Sequence, residues 1–193
     1  MDGKIILVTG GARSGKSLFA EQYAIAQGEK LAYIATAQIY DQEMASRVAL
    51  HRGRRANNWQ TFEAPYDAHQ TMELAAKEAK VILFDCLTLY MSNLLLASHT
   101  TDQPEDKFQY IMEQIDKLLA SAKASQAIVL FVTNEVGMGI VPDNALARQY
   151  RDIAGSVNQK VAAAADEVYL VVSGLAVEIK KRAVTINKEV THG

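Results

Sequence analysis

One cysteine, Cys86, stands among 193 residues, so no internal disulfide can staple the fold, and the composition suits a reducing compartment. Three prolines in the whole chain leave no material for a proline-rich linker between domains. Neither charge sign prevails: twenty Lys and Arg face twenty-two Asp and Glu, a formal balance of −2. A protein that holds nucleic acid through its phosphates normally carries a strong basic surplus, so nucleic acid is not an expected partner. The longest apolar runs reach about six residues, far short of the ~20 a membrane span requires. Met1 and Asp2 lead directly into a strand-like run rather than a basic region and a long apolar segment, so no signal peptide is read and a cytoplasmic location is expected.

What is present suffices for a core. At 49% hydrophobic and 22% charged, the composition is that of an ordinary globular protein, and its length predicts one domain over 1–193. Five short runs are apolar without alternation: Lys4–Thr9, Lys30–Thr36, Val81–Phe84, Ala127–Thr133 and Val168–Val172. Lack of alternation means both faces are covered, the pattern of a parallel sheet. Helical spacing fills the intervals over Ser17–Ala26, Asp41–Arg52, Asp67–Lys80, Leu87–Ala97, Glu105–Lys123 and Asp143–Ala165, with Pro142 and Asp143 as a start signal for the last. The expectation is an α/β fold, a mostly parallel central sheet with helices on both faces. The polar stretch Lys180–Gly193 reads as a tail whose first part could add an edge strand and whose end frays.

After the first run comes Gly10-Gly11-Ala12-Arg13-Ser14-Gly15-Lys16-Ser17, a complete G-x-x-x-x-G-K-S phosphate loop between a strand and a helix. Glycines let consecutive backbone N–H groups turn inward onto phosphate oxygens. Lys16 is placed to reach the β and γ phosphates, Ser17 offers its hydroxyl to Mg²⁺, and the helix presents its positive end. Asp85, closing VILF, is the candidate acidic partner for that metal, directly or through water; its other reading is a cap for the helix that follows. Cys86 beside it reads as a small buried hydrophobe. Thr133-Asn134-Glu135 ends another strand, which puts its polar groups at the carboxyl edge where ligands bind in such sheets.

Four histidines are present: His51, His69, His99 and His192. His51 is set apart by its neighbours, since Arg47 shares its helical face and Arg52, Arg54 and Arg55 follow around Gly53. Guanidinium forks suit phosphate oxygens, and positive surroundings disfavour the protonated ring, leaving a nitrogen lone pair for attack on phosphorus. The other reading is a solvated basic turn with a bystander histidine. Glu63, beyond Trp59, has the chemistry to bond a guanine edge or a ribose, and composition alone does not choose.

Taken together, ILVTGGARSGKS (6–17), YIATAQIYDQEMASRVALHRGRR (33–55), Trp59 with Thr61-Phe62-Glu63, FDCLTLYMSNLL (84–95) and the stretch from Val132 to Gly174 resemble one family. It is the bifunctional adenosylcobinamide kinase / adenosylcobinamide-phosphate guanylyltransferase of cobalamin assembly. The resemblance implies a RecA-like P-loop fold, a homotrimer, and ATP and GTP as substrates. It implies phosphorylation of adenosylcobinamide, then transfer of GMP from GTP through a guanylyl-histidine to adenosylcobinamide phosphate. The family's guanylylated histidine, four residues after the arginine of EMxxR, falls on His51. Its nucleotide contacts fall on Gly10 to Ser17, on Ala35, Thr36 and Ala37, on Arg52, Gly53, Arg54 and Arg55, on Glu63 and on Asp85. Two positions depart from the family's habit: Ala56, where proline is common, and Tyr90, where tryptophan is. Neither removes a proposed catalytic group. Two further readings are a plain P-loop small-molecule kinase, which needs no nucleophilic histidine, and a RecA-like ATPase module, whose hydrolysis would respond to nucleic acid rather than to cobinamide.

Overall fold

The computed structural model describes residues 3–38, 58–97 and 103–184. In chain order these form β1 (Lys4–Gly10), α1 (Lys16–Gln27), β2 (Leu31–Ala35), β3 (Trp59–Glu63), α2 (Ala68–Glu78), β4 (Val81–Asp85), α3 (Leu87–Leu96), α4 (Pro104–Ala124), β5 (Ile128–Asn134), α5 (Ala145–Ala164), β6 (Glu167–Val172) and β7 (Leu175–Glu178). The strands make one sheet in the order β3-β2-β4-β5-β1-β6-β7. All pairings are parallel except β6 with β7. The five expected strands appear within a residue or two of their anticipated ends. Strands β1, β2, β4 and β5 are buried over most of their length, whereas β6 mixes buried and half-exposed positions and Val172 is exposed, so the expected cover on both faces does not extend to it.

Side-chain parity divides the core in two. Ile5 and Leu7 of β1, Ile82 and Phe84 of β4, and Val129 and Phe131 of β5 join residues of α2, α3, α4 and α5 in one cluster. Ile6, Val8, Leu31, Tyr33, Val81, Leu83, Leu130 and Val132 form the other, with Ala20 and Ala24 of α1. Each fully buried aliphatic or aromatic side chain contributes on the order of 1.5–3 kcal/mol relative to exposure, so the sheet's central strands are its most firmly held part.

Several expectations are corrected. Strand β3 was not anticipated, because WQTFE is a half-exposed edge segment and lacks the continuous apolar run of the buried strands. The edge strand expected after Lys180 lies earlier, at Leu175–Glu178, in a hairpin turned at Ser173 and Gly174 with φ 51° and 81°. Two consecutive positive φ values are what a tight two-residue hairpin turn demands. Lys180–Arg182 instead form a single 3₁₀ turn. There the Lys180 ammonium donates to the carbonyls of Ala162, Ala163 and Ala165 at the end of α5, a cation on the negative end of a helix. Helix α5 starts two residues later than expected, because Asn144 rather than Asp143 caps it, accepting from the Ala147 N–H at 2.7 Å. The helix expected over Asp41–Arg52 lies outside the described residues.

Candidate active site

The phosphate loop is shaped by close approach. A Cβ on Gly10 would stand 2.4 Å from the Val171 carbonyl oxygen and 2.7 Å from Ser14 Oγ, so no side chain fits where β1 meets the loop. Gly15, at φ 96°, holds the left-handed turn that opens α1. Arg13 is also left-handed, at φ 57°. Ser14 N–H donates to Gly11 O at 3.2 Å, and the β6–β7 turn braces the loop through Gly174 N–H to Ser14 O at 2.8 Å. Gly11, Ala12 and Arg13 are exposed, while Lys16 and Ser17 lie half-buried on the first turn of α1. The Lys16 ammonium folds over the loop and donates to Gly11 O at 3.1 Å. Burial lowers its pKa from the ordinary lysine value, opposed by the negative charge of the Asp85 carboxylate nearby.

Strand parity aligns the rest. On the α1 side of the sheet the buried positions run 6, 8 on β1, 31, 33 on β2, 81, 83 on β4 and 130, 132 on β5. Continuing each by two places Gly10, Ala35, Asp85 and Asn134 in a row across four neighbouring strands at their carboxyl ends. The registers agree: Ala35 is opposite Asp85, Gly10 is opposite Asn134, and Asp85 is opposite Val132, one pleat short of Asn134. Glu63 extends the row on β3, opposite Ala35. The sheet thus brings together a phosphate loop, a carboxylate, a carboxamide and an outlying glutamate from segments distant in sequence.

The residues beneath this row are tightly stitched. Tyr33 Oη donates to Asp85 Oδ2 at 3.0 Å, fixing the carboxylate from the next strand. Thr36, fully buried, donates through Oγ1 to Cys86 O and receives Cys86 N–H, each at 2.8 Å. Asn93 of α3 then holds Thr36 O at 2.8 Å and Pro65 O at 3.1 Å. The Asp85–Cys86 peptide is cis. Cys86 caps α3 without a side-chain bond, so Asp85 is not the helix cap its alternative reading required. Cys86 is half-buried, and burial, with the Asp85 charge adding to it, pushes its thiol up to about 12, a poorly ionised and therefore inert state.

Ala35, Thr36, Ala37, Glu63, Asp85 and the whole of Gly10 to Ser17 therefore lie along one sheet edge. His51, Arg47, Arg52, Gly53, Arg54 and Arg55 lie outside the described residues. Among the described residues no three His, Cys, Asp or Glu side chains gather into a metal-holding group. Ser17 and Asp85 supply the hard oxygen donors that suit a cation sharing its shell with phosphates and water. Tyr33 and Asn93 escaped the sequence reading because their hydrogen bonds join distant segments.

The comparisons with known proteins agree on one family. Residues 6–179 match the family model described as cobinamide kinase / cobinamide phosphate guanyltransferase. The bifunctional adenosylcobalamin biosynthesis protein CobU of Salmonella typhimurium is 50% identical, covering 91% of this chain and 99% of that protein. Its Escherichia coli counterpart is 47% identical over the same shares. The corresponding protein CobP of Pseudomonas aeruginosa is 40% identical, over 90% of this chain and 96% of its own length. A KaiC-like protein from Pyrococcus horikoshii is similar in structure at a TM-score of 0.50 and 15% identity, covering 88% of this chain and 71% of that one. At that identity it speaks for the fold alone, which is α/β with a mostly parallel sheet of the RecA-like P-loop kind. The chain belongs to the cobinamide kinase / cobinamide phosphate guanyltransferase family, a family of transferases.

Proposed function

We propose that a single domain carries out both reactions in sequence: phosphorylation of adenosylcobinamide by ATP or GTP, then transfer of GMP from GTP through His51 to adenosylcobinamide phosphate, giving adenosylcobinamide-GDP. The observation that carries this reading is the row of Gly10, Asn134, Asp85 and Ala35 at one sheet edge. It stands in a chain whose bifunctional relatives match over nearly their whole length.

In the first reaction the acceptor hydroxyl oxygen bonds to the γ-phosphorus while the bond to the β-phosphate oxygen breaks, releasing the nucleoside diphosphate and a proton. The backbone N–H groups of Gly11 to Lys16 and the Lys16 ammonium hold the phosphates in line. Lys16 must exchange its bond with Gly11 O for phosphate oxygens, and its partial burial strengthens each contact it then makes. Ser17 and Asp85 would hold Mg²⁺, which neutralises phosphate charge when bound. In the second reaction an imidazole nitrogen of His51 bonds to the α-phosphorus and pyrophosphate leaves. A phosphate oxygen of adenosylcobinamide phosphate then attacks the same phosphorus, and the P–N bond breaks to free His51. Arg52, Arg54 and Arg55 spread the charge that develops on the oxygens, and Glu63 is offered to the guanine or its ribose.

A homotrimer in the cytoplasm accompanies this reading through the family resemblance. Among the described residues no helix is long and apolar enough to cross a membrane. The test is product analysis. Purified chain with adenosylcobinamide and ATP yields the monophosphate, and added GTP converts it to the GDP derivative with one pyrophosphate per turnover. Nucleotide hydrolysis with the corrinoid unchanged would contradict the assignment.

A further inference from the structure

Asn134 combines a backbone bonded through both its N–H and its carbonyl with a side-chain oxygen left unmatched among the described residues. Its N–H donates to Thr88 Oγ1 at 2.8 Å, and its carbonyl receives Asn158 Nδ2 at 3.2 Å. The next residue, Glu135, donates its N–H to Gly10 O at 3.1 Å. Both flanks are thus pinned, one to α3 and α5, the other to the first residue of the phosphate loop. The carboxamide projects on the α1 face, in the row between Asp85 and Gly10. Its Oδ1 is buried and has no hydrogen-bond partner among the described residues. Ser14 Oγ, against Gly10 on the other side, is likewise buried and without a partner. A buried amide oxygen without a donor is destabilising, a cost that persists in a folded protein where a ligand supplies the donor. Thr133, one residue earlier and facing the opposite core, shows the contrast, because its Oγ1 is satisfied by Asn158 Oδ1 at 2.8 Å.

We propose that the Asn134 carboxamide orients the acceptor alcohol of the kinase reaction, its Oδ1 receiving the hydroxyl proton's hydrogen bond while the alcohol oxygen faces the γ-phosphorus. This rests on the kinase assignment above and adds a residue to it. Asn134 sits directly beside Gly10, where the loop's first N–H groups meet the phosphates, and one pleat from Asp85. A carboxamide is no base, so it holds the O–H without taking the proton. As the new P–O bond forms and the bond to the leaving diphosphate breaks, the proton passes to a phosphoryl oxygen and then to water. Orientation of this kind by a neutral amide is established chemistry for phosphoryl transfer. Guanylylation of histidine involves no alcohol, so the two reactions should separate at this residue.

Asn134→Ala and Asn134→Asp are compared with wild type in the full-length protein. Each is measured for alcohol phosphorylation, for guanylyl-enzyme formed from GTP alone, and for thermal unfolding. In Asn134→Ala the ratio of phosphorylation kcat to guanylylation rate falls at least thirtyfold, while KM for the nucleotide moves less than threefold. Asn134→Asp keeps an acceptor that can also take the proton, so its phosphorylation rate recovers at least tenfold over alanine and rises with pH as the carboxylate ionises. Equal loss of both reactions in Asn134→Ala, or an unchanged ratio, would overturn the proposal, as would an aspartate variant that matches alanine at every pH. A wild type that guanylylates but never phosphorylates the alcohol would defeat the kinase assignment and this proposal with it.

Discussion

The two ends of the same sheet treat their polar groups in opposite ways. At the amino end of β1 and β6, Glu167 receives Lys4 at 2.8 Å, Tyr23 at 2.9 Å and Tyr169 at 3.0 Å. Asp166 there binds Ile5 through both its carboxylate and its N–H. Phe19, Tyr23 and Tyr169 close over this end with ring centroids 5.0–6.0 Å apart. At the carboxyl end of the sheet, among the described residues, Lys16 bonds only to a carbonyl of its own loop, and Ser14 and Asn134 carry buried oxygens without partners. Stability is concentrated where groups satisfy one another, and chemistry where they are left for a ligand. Substitutions at the two ends should therefore fail in different ways.

The largest effect is expected at Lys16. Lys16→Ala removes a charge from the phosphate loop, which the proposed function assigns to both reactions. Each should fall on the order of 10²–10³-fold, with little change in the unfolding midpoint. Steady-state assay of both products checks this, and full retention of either reaction would break the shared-site account.

An intermediate effect is expected at Glu167, of the opposite kind. Burial raises its carboxyl pKa, but donation from Lys4, Tyr23 and Tyr169 outweighs it and holds the group below its ordinary 4.5. A carboxylate depressed by folding lends stability that is complete above its unfolded pKa and is lost as pH falls through the folded value. Glu167→Gln should cost about 1–2 kcal/mol at pH 7, and the gap to wild type should shrink as pH drops below 4.5. Denaturant melts at pH 7 and pH 3.5 read this out. A variant with intact stability but impaired catalysis would reverse the comparison.

The smallest effect is expected at Cys86. It lies at the active end, yet its thiol is raised to about 12 by burial and Asp85. Iodoacetamide at pH 8 should leave the folded protein unlabelled and both activities intact, whereas the denatured chain reacts at the rate of an ordinary thiol. Rapid labelling with loss of activity would show a sharper role than the geometry gives it.

The parts of this arrangement that were legible in sequence are those carried by residue type at short range. The phosphate loop, the five non-alternating strands and Asp85 closing VILF needed no tertiary information, and the structure sets them along one edge as expected. Strand β3 was hidden because an edge segment such as WQTFE need not be apolar on both faces. Hairpin strand β7 was hidden for the same reason, and Lys180 showed its use only once α5 was seen to end beside it. Asn134 could be placed at the carboxyl edge from sequence, but not its unmatched oxygen. A missing partner is visible only when every neighbour in space is known. The arginine cluster around His51 rests on residue type and family resemblance.

The most direct measurement is the site of guanylylation. Wild-type protein incubated with GTP, digested and mapped by mass spectrometry should carry one GMP, bound through a P–N bond on the peptide containing His51. His51→Ala should carry none while still phosphorylating adenosylcobinamide. A GMP adduct on another residue, or an unlabelled wild type that nonetheless forms adenosylcobinamide-GDP, would contradict the account.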